Sequence, residues 1–430
     1  MQISNQKSPS SKIIISHFVL GALALSAASI LIIFHPDAFT RHYFNPKLLS
    51  ITHLLVLGWI TMIIFGVLCQ LTPVITDGKL FSEKMAVVSM VALAAGSVCL
   101  PAAFFYFKTG LVLNLAAAFI VLAALLQSAN MYLTVNASNK KSIHVNFILT
   151  ALAWLLFTVT IGFMLAVNLA NPFITSSHLE FLKLHAHAGI IGWFLQLIIG
   201  ISSKIIPMFM VSHHLNMKKL SLSYYSVNAG LILGIISLYI QWKTGVTAGT
   251  FIVIAGVIFF LSFIMEAYRK RVRKMLDTGL KQTFVAFISL LLPMTLIIIL
   301  TSGMPAGPAG IRLAVIYGSS LILGFISSLV MAQTYKILPF IVWMNSYRHL
   351  LGKQTTPLPK DLYSDKLAGL HGWLFAAAFT VLLPGAFFEN DLLIRSAGVI
   401  MLCSVLIYNY NIYHIISHTS HINTQPHHAN

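Results

Sequence analysis

Apolar residues run along this chain in long blocks separated by short polar segments. Twelve such blocks are legible, at about 13–34, 48–75, 85–107, 110–135, 145–170, 180–210, 223–243, 247–268, 281–302, 311–343, 366–388 and 392–416. A helix needs roughly 20 apolar residues to cross a bilayer, and each block supplies that length. The pattern predicts an all-α fold, a polytopic membrane protein of twelve transmembrane helices. The connections are short, so residues 1–430 read as a single transmembrane domain with a His-rich tail at 417–430. The longest connection, Asn345 to Lys366, carries Pro357 and Pro359 and reads as a loop.

The second, sixth and tenth blocks are the longest, and they carry one motif three times. The first copy has His53, Gly58-Trp59, Gly66 and Pro73; the second has His187, Gly192-Trp193, Gly200 and Pro207. Their offset is 134 residues throughout, and a third copy follows 132 residues on, with Ser319, Gly324-Phe325, Ala332 and Pro339. A fixed period of this kind predicts three pseudo-repeats of four helices, about 13–135, 145–268 and 281–416. Two copies keep an imidazole where the third keeps a hydroxyl.

Spacing says what each motif position does. Seven residues turn an α-helix by about 700°, so Trp, Gly and Pro share one face. A glycine in that stripe permits close approach of a helix or a flat cofactor, and packing is the favoured role for Gly66 and Gly200. The motif histidines lie about 120° from the stripe. An interfacial role would suffice for one such histidine. Recurrence at equivalent places instead points to a ligand site, because ionisable groups within spans are costly. His185 lies two residues before His187, about 200° round the helix, so the two serve different sites on opposite sides. His178 and Glu180 read as an outer entrance.

Composition sharpens the class. The chain is 58% hydrophobic and 9% charged, with a net charge of +17. In a soluble protein that charge would suggest nucleic acid. Here the positive-inside rule accounts for it, and the expected partner is the lipid bilayer, with no nucleic acid. Basic loop residues divide 18 to 7 between the two sides. That bias predicts a bacterial-type inner membrane protein, multi-pass, with cytoplasmic N- and C-termini. His53 and His187 then lie toward the outer face. The first block lacks a clear cleavage pattern, so no signal peptide is expected. Cys69, Cys99 and Cys403 form no CxxC and no disulfide framework.

Other candidates are weaker. Lys204 and Lys336 sit within spans near the inner ends, with Gln70 at the equivalent place in the first copy, and snorkelling is the simplest reading. His414 and His418 are i, i+4, a spacing that suits a metal, but with His421, His427 and His428 a solvated tail is favoured. His213-His214 read as loop. His371 starts the eleventh helix on the cytoplasmic side. His17 and His144 begin the first and fifth helices as a further related pair without an assigned mechanism.

The strings THLLVLGWITMIIFGVLCQLTPVI and HAHAGIIGWFLQLIIGISSKIIPMF, on a twelve-helix plan with threefold repetition, resemble subunit I of the heme-copper oxidase superfamily. The likeness is to the C-type oxidase and nitric oxide reductase branch. It spans nearly the whole chain in helix count and repeat, and is motif-specific in helices 2 and 6. The resemblance implies heme, with copper as a second metal, and His53 as a ligand of the low-spin heme. The chain departs from that pattern. The family carries its His-x-His heme pair on helix 10, where this chain has Tyr317-Gly318-Ser319-Ser320. A copper-binding His-His within helix 7 is missing too. On this resemblance the chain reads as a degenerate member, not expected to assemble the family's binuclear centre. It also resembles, in pattern only, the NnrS family of polytopic proteins associated with nitric oxide stress.

The expectation is an oxidase-like membrane protein binding heme, and copper as a second cofactor, near the outer face. His53, His185 and His187 are the candidate cofactor and metal ligands: His53 with either His185 or His187 on the heme, and the remaining histidine at a second site. Expected roles are nitric oxide handling, electron transfer or support of respiratory enzymes, with respiratory membrane subunits or a cytochrome as partners. Whether it is an enzyme stays open; if so, it is an oxidoreductase, and not a proton-pumping oxygen reductase. The alternative is a heme-free membrane transporter or copper-trafficking protein.

Overall fold

The computed structural model describes residues 9–138, 140–175, 177–303 and 307–419. Among the described residues twelve helices are long and apolar enough to cross a membrane. They are α1 (Ser11–Phe34), α2 (Pro46–Thr76), α3 (Glu83–Phe105), α4 (Leu111–Ser138), α5 (Ile143–Ala170) and α6 (His178–Met210). α7 (Met217–Tyr239), α8 (Lys243–Arg269), α9 (Thr278–Thr301), α10 (Pro308–Ser346), α11 (Asp365–Phe387) and α12 (Asp391–Ser417) complete the set. No strand occurs among the described residues beyond one isolated bridge, Ser212 to Arg271. The fold is all-α, and the protein is a multi-pass membrane protein. With twelve crossings, the first and last spans begin and end on one side, called here the terminal side.

Polar side chains start many of the helices. Asn45, Ser82, Ser142, Asn216, Asp277, Ser364 and Asn390 each accept a hydrogen bond from a backbone N–H of the first turn. Such caps satisfy donors that have no partner within the helix. One span is broken: α9 bends at Leu290, three residues before Pro293, whose ring displaces the carbonyl of Ser289 and removes one helical bond.

The three motif helices form the inner layer. Their apolar windows are 78% (α2), 78% (α6) and 61% (α10) buried, against 28–44% for the other nine. Trp59 of α2 donates from Nε1 to Ser327 Oγ of α10 at 3.2 Å, tying two of them together. The outer helices close into a ring where α12 meets α1, with Asn409 Nδ2 donating to Ser26 Oγ at 2.8 Å.

Each motif helix contains one π-helical segment of eight residues: Leu54–Thr61, Ala188–Leu195 and Ser320–Ser327. His53, His187 and Ser319 directly precede them. Gly58, Gly192 and Gly324 hold the fifth place in each and lie against Ala24, Trp154 and Phe379. A π turn fits an extra residue into the coil and re-aims the side chains before it, and such segments cluster at functional sites. The α-helical angle expected between the histidine and Trp therefore does not hold, since the wider turns lie between them.

The stripe glycines serve packing. A Cβ on Gly66 would lie 2.7 Å from His17 Cβ of α1, and one on Gly200 would meet Phe147 of α5. His17 and His144 thus have related places, each on a helix packed against the motif. His144 Nδ1 lies 3.0 Å from Ser203 Oγ.

The two span lysines differ. Lys204 is exposed and free to snorkel. Lys336 is ion-paired to Asp277, the residue that caps the terminal-side end of α9, with its ammonium 4.6 Å above the Phe209 ring. Asp277 is held as the cap of α9, accepting from Leu280 N, and also meets Arg273 at 3.5 Å. Lys336→Met should destabilise the protein by about 2 kcal/mol, since it leaves a carboxylate short of a partner. Lys204→Met should leave the thermal unfolding midpoint in detergent unchanged, and equal midpoints for both variants would refute this distinction.

Candidate heme site in the intramembrane cavity

A cavity of about 1080 Å³ lies inside the bundle, toward the side opposite the terminal side. All three candidate ligands, His53, His185 and His187, line it. The structure pairs His53 with His185. Their ring centroids are 6.4 Å apart and their planes differ by 20°. His187 turns to the other flank of α6 and faces Tyr317 of α10, with centroids 6.2 Å apart. The two α6 histidines therefore serve two places, and His185 is the one that meets His53.

Backbone carbonyls fix all three imidazoles. His53 Nδ1 donates to Leu49 O at 2.8 Å, His185 Nδ1 to Thr158 O at 2.9 Å, and His187 Nδ1 to Lys183 O at 2.8 Å. A carbonyl can only accept, so each Nδ1 carries the proton and each Nε2 keeps its lone pair. This is the tautomer and the outer-shell hydrogen bond that metal-ligating histidines use. Gly162 of α5 makes room for the His185 ring: a Cβ there would lie 2.7 Å from His185 Cε1. Phe104 of α3 packs on the other member of the pair, 4.9 Å from the His53 ring centroid.

The centroid separation matches the span of one metal between two imidazoles. Metal–nitrogen bonds of about 2 Å, with each ring centre roughly 1 Å behind its nitrogen, put the centroids about 6 Å apart. The observed 6.4 Å meets that span. Among the described residues no three His, Cys, Asp or Glu side chains form a group that could hold a metal ion. An iron porphyrin asks the protein for only two axial donors. The cavity is at the upper end of the roughly 300–1,000 Å³ range of cofactor pockets, and is largely apolar as those are.

Polar groups gather at the mouth. His178 Nδ1 is 3.1 Å from Asn168 Nδ2, and Lys183 pairs with Glu180 at 2.7 Å. Both His178 and Glu180 line the cavity. Beyond the spans, Asp37 pairs with Lys47 at 3.2 Å and Arg41 at 3.4 Å. Burial, then Lys47, holds the pKa of His35 below its ordinary value.

The remaining histidines lie elsewhere. His371 is buried against Tyr335 and Tyr408, and both its ring nitrogens are without a hydrogen-bond partner among the described residues. His414 is exposed and His418 half-buried. His414 Nδ1 lies 2.9 Å from Leu362 O and His418 Nδ1 lies 2.8 Å from Tyr347 Oη, placing the end of α12 against the connection between α10 and α11. His421, His427 and His428 lie outside the described residues.

Sequence reasoning missed Gly162, Thr158 and Phe104, and met Tyr317 only as the residue string replacing a lost heme pair. One lone glycine in an apolar span carries no signal of the ring it accommodates. The fold and cavity define an all-α multi-pass membrane protein with an intramembrane imidazole pair. No protein-family model matches the chain, and no curated protein matches it in sequence.

Proposed function

We propose that this protein binds heme within the membrane, with His53 and His185 as the two axial ligands, on a degenerate scaffold of the heme-copper oxidase type. The observation that supports this most is the parallel imidazole pair, 6.4 Å between centroids, with both Nε2 atoms free and an apolar cavity around them. Bound heme would supply one-electron redox chemistry. His53 and His185 would both hold the heme, which favours electron transfer over binding of a gas. Nitric oxide handling at this iron would require one histidine to leave. The role is then to carry electrons for, or to support, respiratory membrane enzymes or a cytochrome, not to reduce oxygen and pump protons. The basic-residue bias supports an inner-membrane placement with the terminal side cytoplasmic.

The large cavity and its charged mouth also favour a second reading, a heme-free transporter or copper-trafficking protein. Metal and porphyrin analysis of protein purified from heme-replete, copper-supplemented cells separates the two. Near-stoichiometric heme with a Soret band supports the first reading; copper without porphyrin supports the second.

A further inference from the structure

The connection after α8 carries the densest charge in the chain. Five of the six residues from Arg269 to Lys274 are basic, and the sixth, Val272, is apolar and exposed. The positive-inside bias accounts for the sign of such a loop but not for its concentration. On the same side, the connection after α2 has only Lys79, and the one after α4 only Lys140 and Lys141. The segment is also held in shape. Val272 N donates to Val211 O at 3.4 Å, Arg273 N to Met210 O at 3.3 Å, and Lys270 Nζ to His214 O at 2.6 Å. These bonds clamp it against the end of α6 and the start of α7, which adds Lys218 and Lys219. The nearby acids are already paired. From residue 181 to residue 360 the chain has only Glu266 and Asp277. Glu266 meets Lys219 at 2.9 Å and Lys270 at 2.8 Å, and Asp277 meets Arg273 and Lys336. Arg269, Lys274 and Lys218 are exposed and form no ion pair among the described residues. Arg271 lies with its guanidinium 3.8 Å over the Tyr268 ring, and its Nη1 donates to Tyr268 O at 2.6 Å. Its Nε has no hydrogen-bond partner among the described residues.

We infer that this clamped basic segment, together with Lys218, binds the headgroup of an anionic phospholipid on the terminal side of the bilayer. The segment begins where α8 ends, so it lies at the membrane surface, at the level of lipid phosphates. Guanidinium groups fork onto phosphate oxygens, and lysines add point charge. Arg271 is already oriented by its ring contact and its carbonyl bond, so it has little side-chain freedom left to lose on binding. Val272 and Met275 are exposed on the same segment, beside the charges. A phospholipid offers both halves of the match at once: a phosphate for the cations and acyl chains for the two apolar side chains. Inorganic phosphate offers only the first. None of these residues lines the cavity that holds His53, His185 and His187. The lipid site therefore stands apart from the imidazole pair and does not depend on heme being bound there.

The test is native mass spectrometry of the purified protein offered equimolar phosphatidylglycerol and phosphatidylcholine with the same acyl chains. Wild type should bind phosphatidylglycerol about fivefold more tightly or better, the effect of one or more basic residues near the headgroup. A combined Arg269→Gln, Arg271→Gln, Lys274→Gln variant should bind the two lipids nearly equally. A combined Lys353→Gln, Lys360→Gln, Lys366→Gln variant loses the same charge from the connection between α10 and α11 on the same side, and should keep the preference. A second measurement needs wild type alone and decides the matter if the arginine variant does not fold. Phosphatidylglycerol should raise the thermal unfolding midpoint in detergent more than phosphatidylcholine does, and about 0.5 M sodium chloride should cancel the difference. The inference is overturned if wild type shows no preference, or if the Arg269, Arg271, Lys274 variant keeps it. Equal loss in the Lys353, Lys360, Lys366 variant would also overturn it, since diffuse charge would then suffice. So would a rise in the midpoint with inorganic phosphate as large as that with phosphatidylglycerol.

Discussion

Replacing His53 or His185 by alanine will abolish the six-coordinate heme spectrum, while His187→Ala will leave it in place. The two imidazoles line one cavity from α2 and α6 with centroids 6.4 Å apart, each held by a carbonyl of the backbone. On the proposed reading, loss of either would remove one of only two protein bonds to the iron. The Soret band should then fall at least several-fold or move to a five-coordinate form. His187 lies on the other flank of α6 against Tyr317, so its loss should change little in that band. Absorption spectra of the three variants, at matched protein concentration, make the comparison. A His187→Ala spectrum as damaged as that of His185→Ala would contradict the assignment of the pair.

A change on a neighbouring helix should do nearly as much. Gly162→Val places a side chain where the His185 ring now lies, within 2.7 Å of Cε1 and 3.1 Å of Nδ1. The ring is the far end of a side chain, so it moves more cheaply than the α5 backbone. His185 should swing out, lose its bond to Thr158 O, and take heme binding with it. Heme content should drop about tenfold while the protein still elutes as a folded species and keeps its helical circular dichroism. Gly162→Ala should fall between. A Gly162→Val protein with a wild-type spectrum would show that the His185 position described here is not the ligating one.

Much of the fold was readable in the sequence because apolar length is a direct consequence of the bilayer. The edges were less so. The seventh block was read as 223–243, but α7 runs Met217–Tyr239 because Asn216 caps it and carries it back over Lys218 and Lys219. Hydropathy does not register a cap. Nor does it register the π segments, whose residues are as apolar as their α-helical neighbours. Their only trace was the constant five-residue step from His53 to Gly58 and from His187 to Gly192.

The site was half readable. Recurrence drew attention to His53 and His187, and the His185 neighbour came with them. Which α6 histidine meets His53 depends on how that helix is turned and on the room that Gly162 leaves, which are tertiary facts. The lysines teach the same lesson. Lys204 and Lys336 look equivalent along the chain, yet Asp277, fixed by its role as a helix cap, meets only Lys336.

The central claim is a heme held between His53 and His185. The most direct measurement is low-temperature electron paramagnetic resonance of the ferric protein, purified with heme and compared with His185→Ala. The account predicts a low-spin signal of two-imidazole ligation in wild type, replaced by a high-spin signal or by no heme in the variant. Wild-type protein with no bound heme, or with a high-spin signal that His185→Ala leaves unchanged, would contradict it.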